Sequence, residues 1–487
     1  MNKKLYITST LPYPNSIEGA HVGHLFEFVI TDAISRYFKN KLGEENVFFN
    51  TGIDEEGLKI WQKSIELNIS VEAFLEQQTI IWKGFCETLQ IEYDNFYKTS
   101  SKEHQRNVQK FWSECIDRGD IYKKKYSGKY CVGCESFKLE KELEDGKCPD
   151  HAGIELKKTD EENYFFRLSK YKEKLQAWIA ENTEFLKPKN KSDELKNFID
   201  NIEDISVSRL RKNVPWGTEV PGDEEQTVYI WFSALLNYIF SCGYYENRDN
   251  FNEWWNKTVQ VCGPDNLKFQ AVIFQAILAS AEIKQTEKLL VHGTILDKDG
   301  RKMSKTAGNV IDPIDQLDKY GLSAVRYYAL AGLQVYGNSG WDEEQLVKLY
   351  NSHLADNYGN LLARVIHLVN LKNIDVDNGS VDSDIHHIFE NKFIEIEKLW
   401  DEYEITAAIN SLHELLKTAN QYITEKQPWS KESIDFDKVL RTLFYTLKKA
   451  TILYMPVIPD KAKEAMESLR NLNKVILFPK INFVNKN

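Results

Sequence analysis

The first apolar run, Lys4 to Thr10, is short, β-branched and closed by Pro12 and Pro14. It predicts a buried strand running into a loop. From His24 the period changes. Phe26, Val29, Ile30, Ala33, Ile34 and Tyr37 recur every three or four positions, the spacing of a helix. Asn46 to Asn50 (NVFFN) predicts a second strand, which enters GIDEEG. Strand, loop, helix, strand is how a doubly wound α/β sheet begins. Sheet-like runs return at Val228 to Trp231, Thr258 to Cys262 and Leu289 to Gly293. Phe269 to Ile283 carries Gln270 and Gln275, falls short of the roughly 20 residues that span a bilayer, and reads as a buried helix. After Trp341 three helical stripes follow: Tyr350, Leu354, Tyr358, Leu361, Val365 and Leu368; Ile405, Ala408, Ile409, Leu412, Leu416 and Ala419; Leu440, Leu443, Leu447, Ala450 and Tyr454. They predict a helix bundle of about 140 residues.

Between them, from about Ile121 to Pro215, the chain is charged and shows little strand–helix alternation, so this stretch reads as an insertion. At 487 residues the prior is about three domains. With 42% hydrophobic and 28% charged residues, collagen-like, mucin-like, low-complexity and largely disordered classes are excluded. Lys and Arg number 62 against 73 Asp and Glu, a net charge of −11, which excludes a wholly basic nucleic-acid coat. The last fifty residues depart from that balance: ten Lys or Arg stand against Asp460, Glu464 and Glu467, a surplus on which a polyanion can dock. No apolar core precedes Pro12, so no signal peptide is expected. Seven cysteines, three of them clustered, match a cytoplasmic protein better than a disulfide framework.

Three constellations carry chemistry. His21-Val22-Gly23-His24 lies where the first strand hands over to the first helix. The histidines share one helical face, beside backbone N–H groups that suit an anion. Two imidazoles there can donate to a phosphate whose charge grows in a transition state, and Gly23 lets a flat base approach. Lys302-Met303-Ser304-Lys305-Thr306 follows the turn Asp299-Gly300, and its two lysines make a cation pair for polyphosphate. Each motif alone is common on solvated surfaces; their order in one chain, some 280 residues apart, gives the pair its weight. Cys131-x2-Cys134 and, thirteen residues on, Cys148-x2-His151 supply three thiolates and an imidazole on tight turns. That set fits closed, tetrahedral and therefore structural Zn²⁺.

The HxGH and KMSK pair resembles the signature of class I aminoacyl-tRNA synthetases. LPYPN, GIDEEGLKI, VYIWFSALLNY and VHGTILDKDGRKMSKTAGNVIDP are similar to the methionyl members, and with the zinc cluster and helical tail the likeness covers nearly the whole chain. The fold it implies is a Rossmann-like doubly wound parallel sheet split by a zinc-binding insertion and followed by an all-α anticodon-binding bundle. The corresponding segments are 1–117 and 226–290 for the two catalytic halves, 118–225 for the insertion, 291–345 for the KMSK loop and stem-contact region, and 346–487 for the helical domain.

The resemblance implies a ligase in which methionine carboxylate attacks the α-phosphate of Mg²⁺-bound ATP, pyrophosphate leaves, and methionyl passes to the 3′-terminal adenosine of tRNA(Met). His21, His24, Lys302 and Lys305 would be catalytic. Gly23, Glu27, Asp265 and Ile295 would border the adenosine. Leu11, Tyr13, Trp231, Ala234, Tyr238, Phe269 and Gln270 would line the methionine pocket, since aromatic walls suit a thioether. Asp54 would hold the α-ammonium, and Arg209 would meet substrate carboxylate or phosphate. Asn351 and Trp429, with Arg364 a weaker candidate, would contact the anticodon. A monomer without membrane attachment is expected.

The chain also departs from the family pattern. Two extra residues separate Tyr13 from His21. Pro264, Asn266 and Gln270 replace a lysine, an isoleucine and a pocket histidine; Ser233 replaces a frequent aspartate, and Leu235 stands where some members have proline. Glu56 stands where DEHG has histidine, and Thr306 where KMSKS ends in serine. Three alternatives stay open at this point. They are a class I ligase for another amino acid such as leucine or cysteine, a silent tRNA-binding scaffold, and a small nucleotidylyltransferase. The first is disfavoured by the short insertion and filled zinc shell, the second by the intact His–Lys quartet, the third by the helical tail.

Overall fold

The structure, a computed structural model, describes residues 4–14, 19–131, 133, 136–138, 143–149, 153, 155–303, 308–430 and 435–483. The chain forms two compact units. The first comprises Met1–Gly19, Phe48–Gly84 and Tyr93–Val291; the second comprises Ala20–Val47, Phe85–Glu92 and His292–Asn487.

The first unit is built on a six-stranded sheet. Its order is β3 (Asn95–Lys98), β2 (Val47–Ile53), β1 (Leu5–Thr8), β12 (Thr258–Cys262), β13 (Lys288–Val291) and β7 (Leu186–Lys187). The pairs β2–β3, β1–β12, β12–β13 and β13–β7 are parallel, with Thr8 opposite Gln260 at the centre. Every residue of β1 and β12 is buried, as a central parallel strand covered on both faces requires. The predicted strands at Lys4–Thr10, Asn46–Asn50, Thr258–Cys262 and Leu289–Gly293 are all present, with shifted ends.

Two expectations change. Val228–Trp231 is not a strand throughout, because the sheet ends at Val228 and the helix Ile230–Leu235 takes Trp231. The cause is local: Phe232 N–H turns back to Tyr229 O at 2.9 Å, which closes a helical turn. The buried helix after Phe269 opens with a wide π-turn, Phe269–Ile273, before the regular Phe274–Ser280. Such a turn is common where a helix carries a site.

The insertion holds more sheet than its pattern suggested. One antiparallel sheet orders β5 (Ser136–Lys138), β4 (Ile121–Cys131), β6 (Lys157–Phe166) and β8 (Ile205–Ser206). Another orders β10 (Glu219–Val220), β11 (Asp223–Val228) and β9 (Ser208–Leu210). Runs such as KKKYSGK and KKTDEE hide these strands, since the long β4–β6 ladder outweighs the low β-propensity of Lys and Glu.

The helix Val22–Leu42 groups with the second unit, not with the first sheet half as the expected 1–117 segment had it. Within that unit its buried Asp32 accepts from Arg326 Nη2 at 2.6 Å and from Arg36 Nε at 2.7 Å. Arg326, itself fully buried, also donates to the carbonyls of Leu89, Pro456 and Val457. Tyr37 and Lys41 on the same helix reach Asp401, at 3.0 and 2.6 Å. A two-stranded parallel pair, β14 (Ile295–Leu296) and β15 (Ser339–Gly340), follows. The helices Asn360–Lys372, Ser383–Asp401, Ile405–Lys426, Phe436–Tyr454 and Pro459–Asn471 form the bundle, and every residue of the three predicted stripes is buried. Among the described residues no helix is long and apolar enough to cross a membrane.

Truncating Asp32 leaves the buried Arg326 charge with carbonyl partners alone. Asp32→Ala is expected to destabilise the second unit by about 3–5 kcal/mol, and adding Arg326→Met to recover part of that loss. Unfolding midpoints of the three proteins check this; additive losses contradict it.

Candidate active site

The helix Val22–Leu42 starts on His21, whose backbone is extended and whose side chain caps the first turn. Gly23 N–H donates to His21 Nδ1 at 3.1 Å, and His21 N–H donates to His24 Nδ1 at 3.2 Å. Two N–H groups that a helix start leaves without partners are thus satisfied reciprocally. The rings stack with centroids 3.8 Å apart. A neutral imidazole that accepts at Nδ1 carries its proton at Nε2. Burial first, then the neighbouring His21 and His292, pushes the His24 pKa below the ordinary histidine value, so the ring is neutral at pH 7. Gly23 leaves room for the cap, because a Cβ there would meet the His21 ring at 2.8 Å. One turn on, buried Glu27 lies 3.1 Å from His292 Nε2.

In the same unit the chain after β14 turns at Asp297. This carboxylate accepts from the Asp299 and Arg301 N–H groups, Arg301 Nε and Asn309 Nδ2, all within 3.0 Å. Asn309 above all, with Arg301, holds its pKa down at about 2. The turn carries exposed Lys302, whose backbone bridges to Leu296. Lys305 and Thr306 lie outside the described residues.

In the first unit the loops after β1, β2 and β12 leave the carboxyl edge of the sheet. Around β1 the strand order reverses, the place where open α/β sheets take ligands. The β1 loop carries Leu11 and Tyr13, the β2 loop Asp54, and the β12 connection Asp265, Phe269 and Gln270. The helices Ile230–Leu235 and Asn237–Phe240 add Trp231, Ala234 and Tyr238. Trp231 and Phe269 stack face to face, centroids 3.9 Å apart. Gln270 Nε2 donates to the Tyr238 hydroxyl at 3.0 Å. A Cβ on Gly57 would meet the Tyr13 hydroxyl at 2.7 Å and Ile230 Cδ1 at 3.1 Å, so these three elements converge. Asp54 Oδ1 accepts from Thr99 Oγ1 at 2.9 Å, and Asp54 N–H donates to Pro12 O at 2.9 Å. The β1 loop, the Asp54–Gly57 loop and the helix bearing Trp231 thus meet, with one oriented carboxylate among them.

A family profile described as tRNA synthetases class I (M) matches residues 5–160 and 152–366. The chain belongs to the class I methionyl-tRNA synthetase family. It is 34% identical to the methionine–tRNA ligase of Caldanaerobacter subterraneus subsp. tengcongensis, over 96% of this chain and 74% of that one. It is also 34% identical to that of Rickettsia conorii, over 96% and 93%. The solved Mycobacterium tuberculosis methionyl-tRNA synthetase in complex with methionyl-adenylate is similar in fold. Its TM-score is 0.88 at 30% identity, over 95% of this chain and 93% of that one.

Two of the expected site residues have protein partners here. Arg209 is buried, stacked 4.0 Å over Tyr229, and its Nη1 donates to the Ser208 and Ser206 carbonyls and the Ser206 hydroxyl. It braces β9 where a substrate anion had been expected. Asn351 gives its whole amide to the backbone of Ile481, donating at 2.8 Å and accepting at 3.0 Å. It clamps the C-terminal segment where an anticodon base had been expected. Trp429 is 43% exposed, with the Arg364 guanidinium 5.4 Å from its ring. Cys131 and Cys148 are buried; Cys134 and His151 lie outside the described residues. Ile295 is buried on β14 and Asp265 is exposed.

Thr99, which orients Asp54, and His292, which meets Glu27, were not singled out from the sequence. They act from 45 and 265 residues away, and no local pattern marks them.

His24 supplies a pH test. Its folded pKa is depressed, so below about pH 6.5 the unfolded chain gains a proton that the folded ring resists, and stability is lost as pH falls. Thermal midpoints between about pH 7.5 and about pH 5 are expected to fall more steeply for the wild type than for His24→Gln. Parallel slopes contradict a neutral, half-buried His24.

Proposed function

We propose that this chain is a methionine–tRNA ligase. It activates L-methionine with ATP to methionyl-adenylate, releasing pyrophosphate, and transfers methionyl to the 3′-terminal adenosine of tRNA(Met). The observation that supports the reading is the convergence of the β1 loop, the Asp54–Gly57 loop and the helix bearing Trp231, with Asp54 oriented by Thr99 and Trp231 stacked on Phe269. An α-ammonium pairs with that carboxylate, and an unbranched thioether lies against aromatic rings, each sulfur–ring contact contributing about 0.3–1.5 kcal/mol. Leu11, Tyr13, Ala234, Tyr238 and Gln270 complete the pocket.

The methionine carboxylate attacks the α-phosphorus, and the bond to the pyrophosphate oxygen breaks. His21 and His24, each accepting a backbone N–H at Nδ1, donate from Nε2 to the α-phosphate oxygens. Lys302 and Lys305 offset the charge that builds on the departing pyrophosphate. Gly23, Glu27, Asp265 and Ile295 border the adenosine. Mg²⁺, arriving with ATP, supplies further neutralisation of phosphate charge. No side-chain nucleophile is needed, so catalysis rests on positioning and electrostatics.

Cys131, Cys134, Cys148 and His151 would hold one Zn²⁺, which would tie together a stretch of the insertion with few apolar residues. The burial of Cys131 and Cys148 supports this. Trp429 stacks on an anticodon base, with Arg364 beside the same ring and Asn351 contacting the anticodon as well. The protein works in the cytoplasm, where thiols stay reduced for the metal, and as a monomer.

Exchange of pyrophosphate into ATP, measured over the twenty amino acids, is expected with methionine alone. Exchange with leucine or cysteine, or with none, overturns the assignment. His24→Ala is expected to lower methionine-dependent exchange at least about tenfold while the fold survives; unchanged exchange removes His24 from the mechanism. Metal analysis is expected to find about one zinc per chain, lost on Cys131→Ser or Cys148→Ser. Full-length protein without zinc contradicts the metal site.

A further inference from the structure

The loop Asp54–Gly57 is tied on two sides. Just past β3, Thr99 Oγ1 donates to Asp54 Oδ1 at 2.9 Å and accepts from Glu55 N–H at 2.7 Å. From the end of the insertion, Trp216 grips the same loop with its indole and its backbone. The Trp216 Nε1–H donates to Glu55 O at 2.7 Å, and Trp216 O accepts from Gly57 N–H at 3.2 Å. Two residues on, the buried Thr218 Oγ1 donates to Glu56 Oε1 at 2.6 Å. Three consecutive loop residues thus hydrogen-bond to one short turn of the insertion. The Trp216 ring is half-buried and packs, together with Tyr13, on the cluster of Ile60, Val71, Phe74 and Leu75.

The turn has its own anchor. Thr227 Oγ1 donates to Val214 O at 3.0 Å, and Val228 N–H donates to Thr218 O at 2.8 Å. Both donors stand on β11, which runs through Tyr229 into the helix Ile230–Leu235 that carries Trp231 and Ala234. The loop of Asp54 and the helix of Trp231 are therefore fastened to the same turn.

We propose that Trp216, assisted by Thr218, is a positioning residue for the α-ammonium site: through Glu55 O and Gly57 N–H it fixes the Asp54 carboxylate relative to the helix that bears Trp231.

The make-up of the loop explains the need for such a clamp. Asp54, Glu55 and Glu56 are three successive acids, all buried, so the loop is costly to hold in place without donors. Buried backbone groups need partners as well. Thr99 serves the Glu55 N–H and one Asp54 oxygen, and Trp216 serves the Glu55 carbonyl and the Gly57 N–H. Asp54 thus stands between two supports, and only Trp216 links it to the other wall of the pocket.

This inference rests on the methionine-ligase reading above. Its test compares the full chain with Trp216→Phe, which keeps an aromatic ring on the cluster and removes the indole donor. In methionine-dependent ATP–pyrophosphate exchange the variant is expected to raise the methionine KM at least about fivefold, while kcat and the ATP KM change less than about twofold. A second readout separates a route through Asp54 from a general loosening of the pocket. It is inhibition by methioninol, which keeps the α-ammonium, and by its desamino counterpart, which lacks it. Trp216→Phe is expected to weaken methioninol at least about fivefold and the desamino alcohol less than about twofold. An unchanged methionine KM, an ATP KM raised as much, or equal weakening of both alcohols overturns the inference. Should Trp216→Phe not fold, Thr218→Val and Thr218→Ser replace it. A methionine KM raised by valine and restored by serine supports the inference; one unmoved by valine, or raised alike by both, overturns it. Wild-type exchange with methionine and an unmoved KM in the variant reject this inference alone, whereas no methionine exchange in the wild type rejects the functional reading and this inference with it.

Discussion

The pair of hydrogen bonds that the His21 and His24 rings accept, from the N–H groups of Gly23 and His21, is the constraint on which the rest of the site depends. A helix start has N–H groups that need acceptors. Here the acceptors are two imidazole Nδ1 atoms, and the same bonds that cap the helix decide which ring nitrogen keeps a proton. Structural economy and chemistry coincide, because the tautomer that caps the helix is the one that presents Nε2–H to an anion. Gly23 belongs to this arrangement as much as the histidines do, since a side chain on it would displace the His21 ring. The buried Asp32–Arg326 pair, two turns further on, fixes the helix so that its first turn is held in place.

The pocket obeys a different logic. Its residues come from loops far apart in sequence, and what gathers them is the parallel order of β1, β2 and β12. Polar groups that no pattern marks then orient the ones that matter. Thr99 turns Asp54, Gln270 meets Tyr238, and His104 meets Ser233 on the helix of Trp231.

Much of this was legible in the residues alone. Central strands buried on both faces read as continuous apolar runs, and the bundle helices read as stripes at helical spacing, so both were found. The strands of the insertion were missed because their outward residues are Lys, Asp and Glu, and only long-range pairing makes them strands. Trp231 was placed on a strand because VYIW is β-like locally, yet a single turn closing on Tyr229 makes it helical. Arg209 stacks on Tyr229 and Asn351 meets Ile481, and neither partner is near it in sequence, so no local pattern announces these contacts. Grouping of the first helix with the distant C-terminal half depends on Arg326, some 294 residues away, and no local signal announces it.

The most direct measurement of the central claim is the tautomeric state of the two capping rings. Nitrogen-15 NMR of the histidine side chains, assigned by comparison with His21→Gln and His24→Gln, reads it near neutral pH. The account predicts that both rings are neutral, with Nδ1 bare and the proton on Nε2. An Nδ1-protonated tautomer or an imidazolium at His24, or an Nδ1-protonated His21, would contradict it.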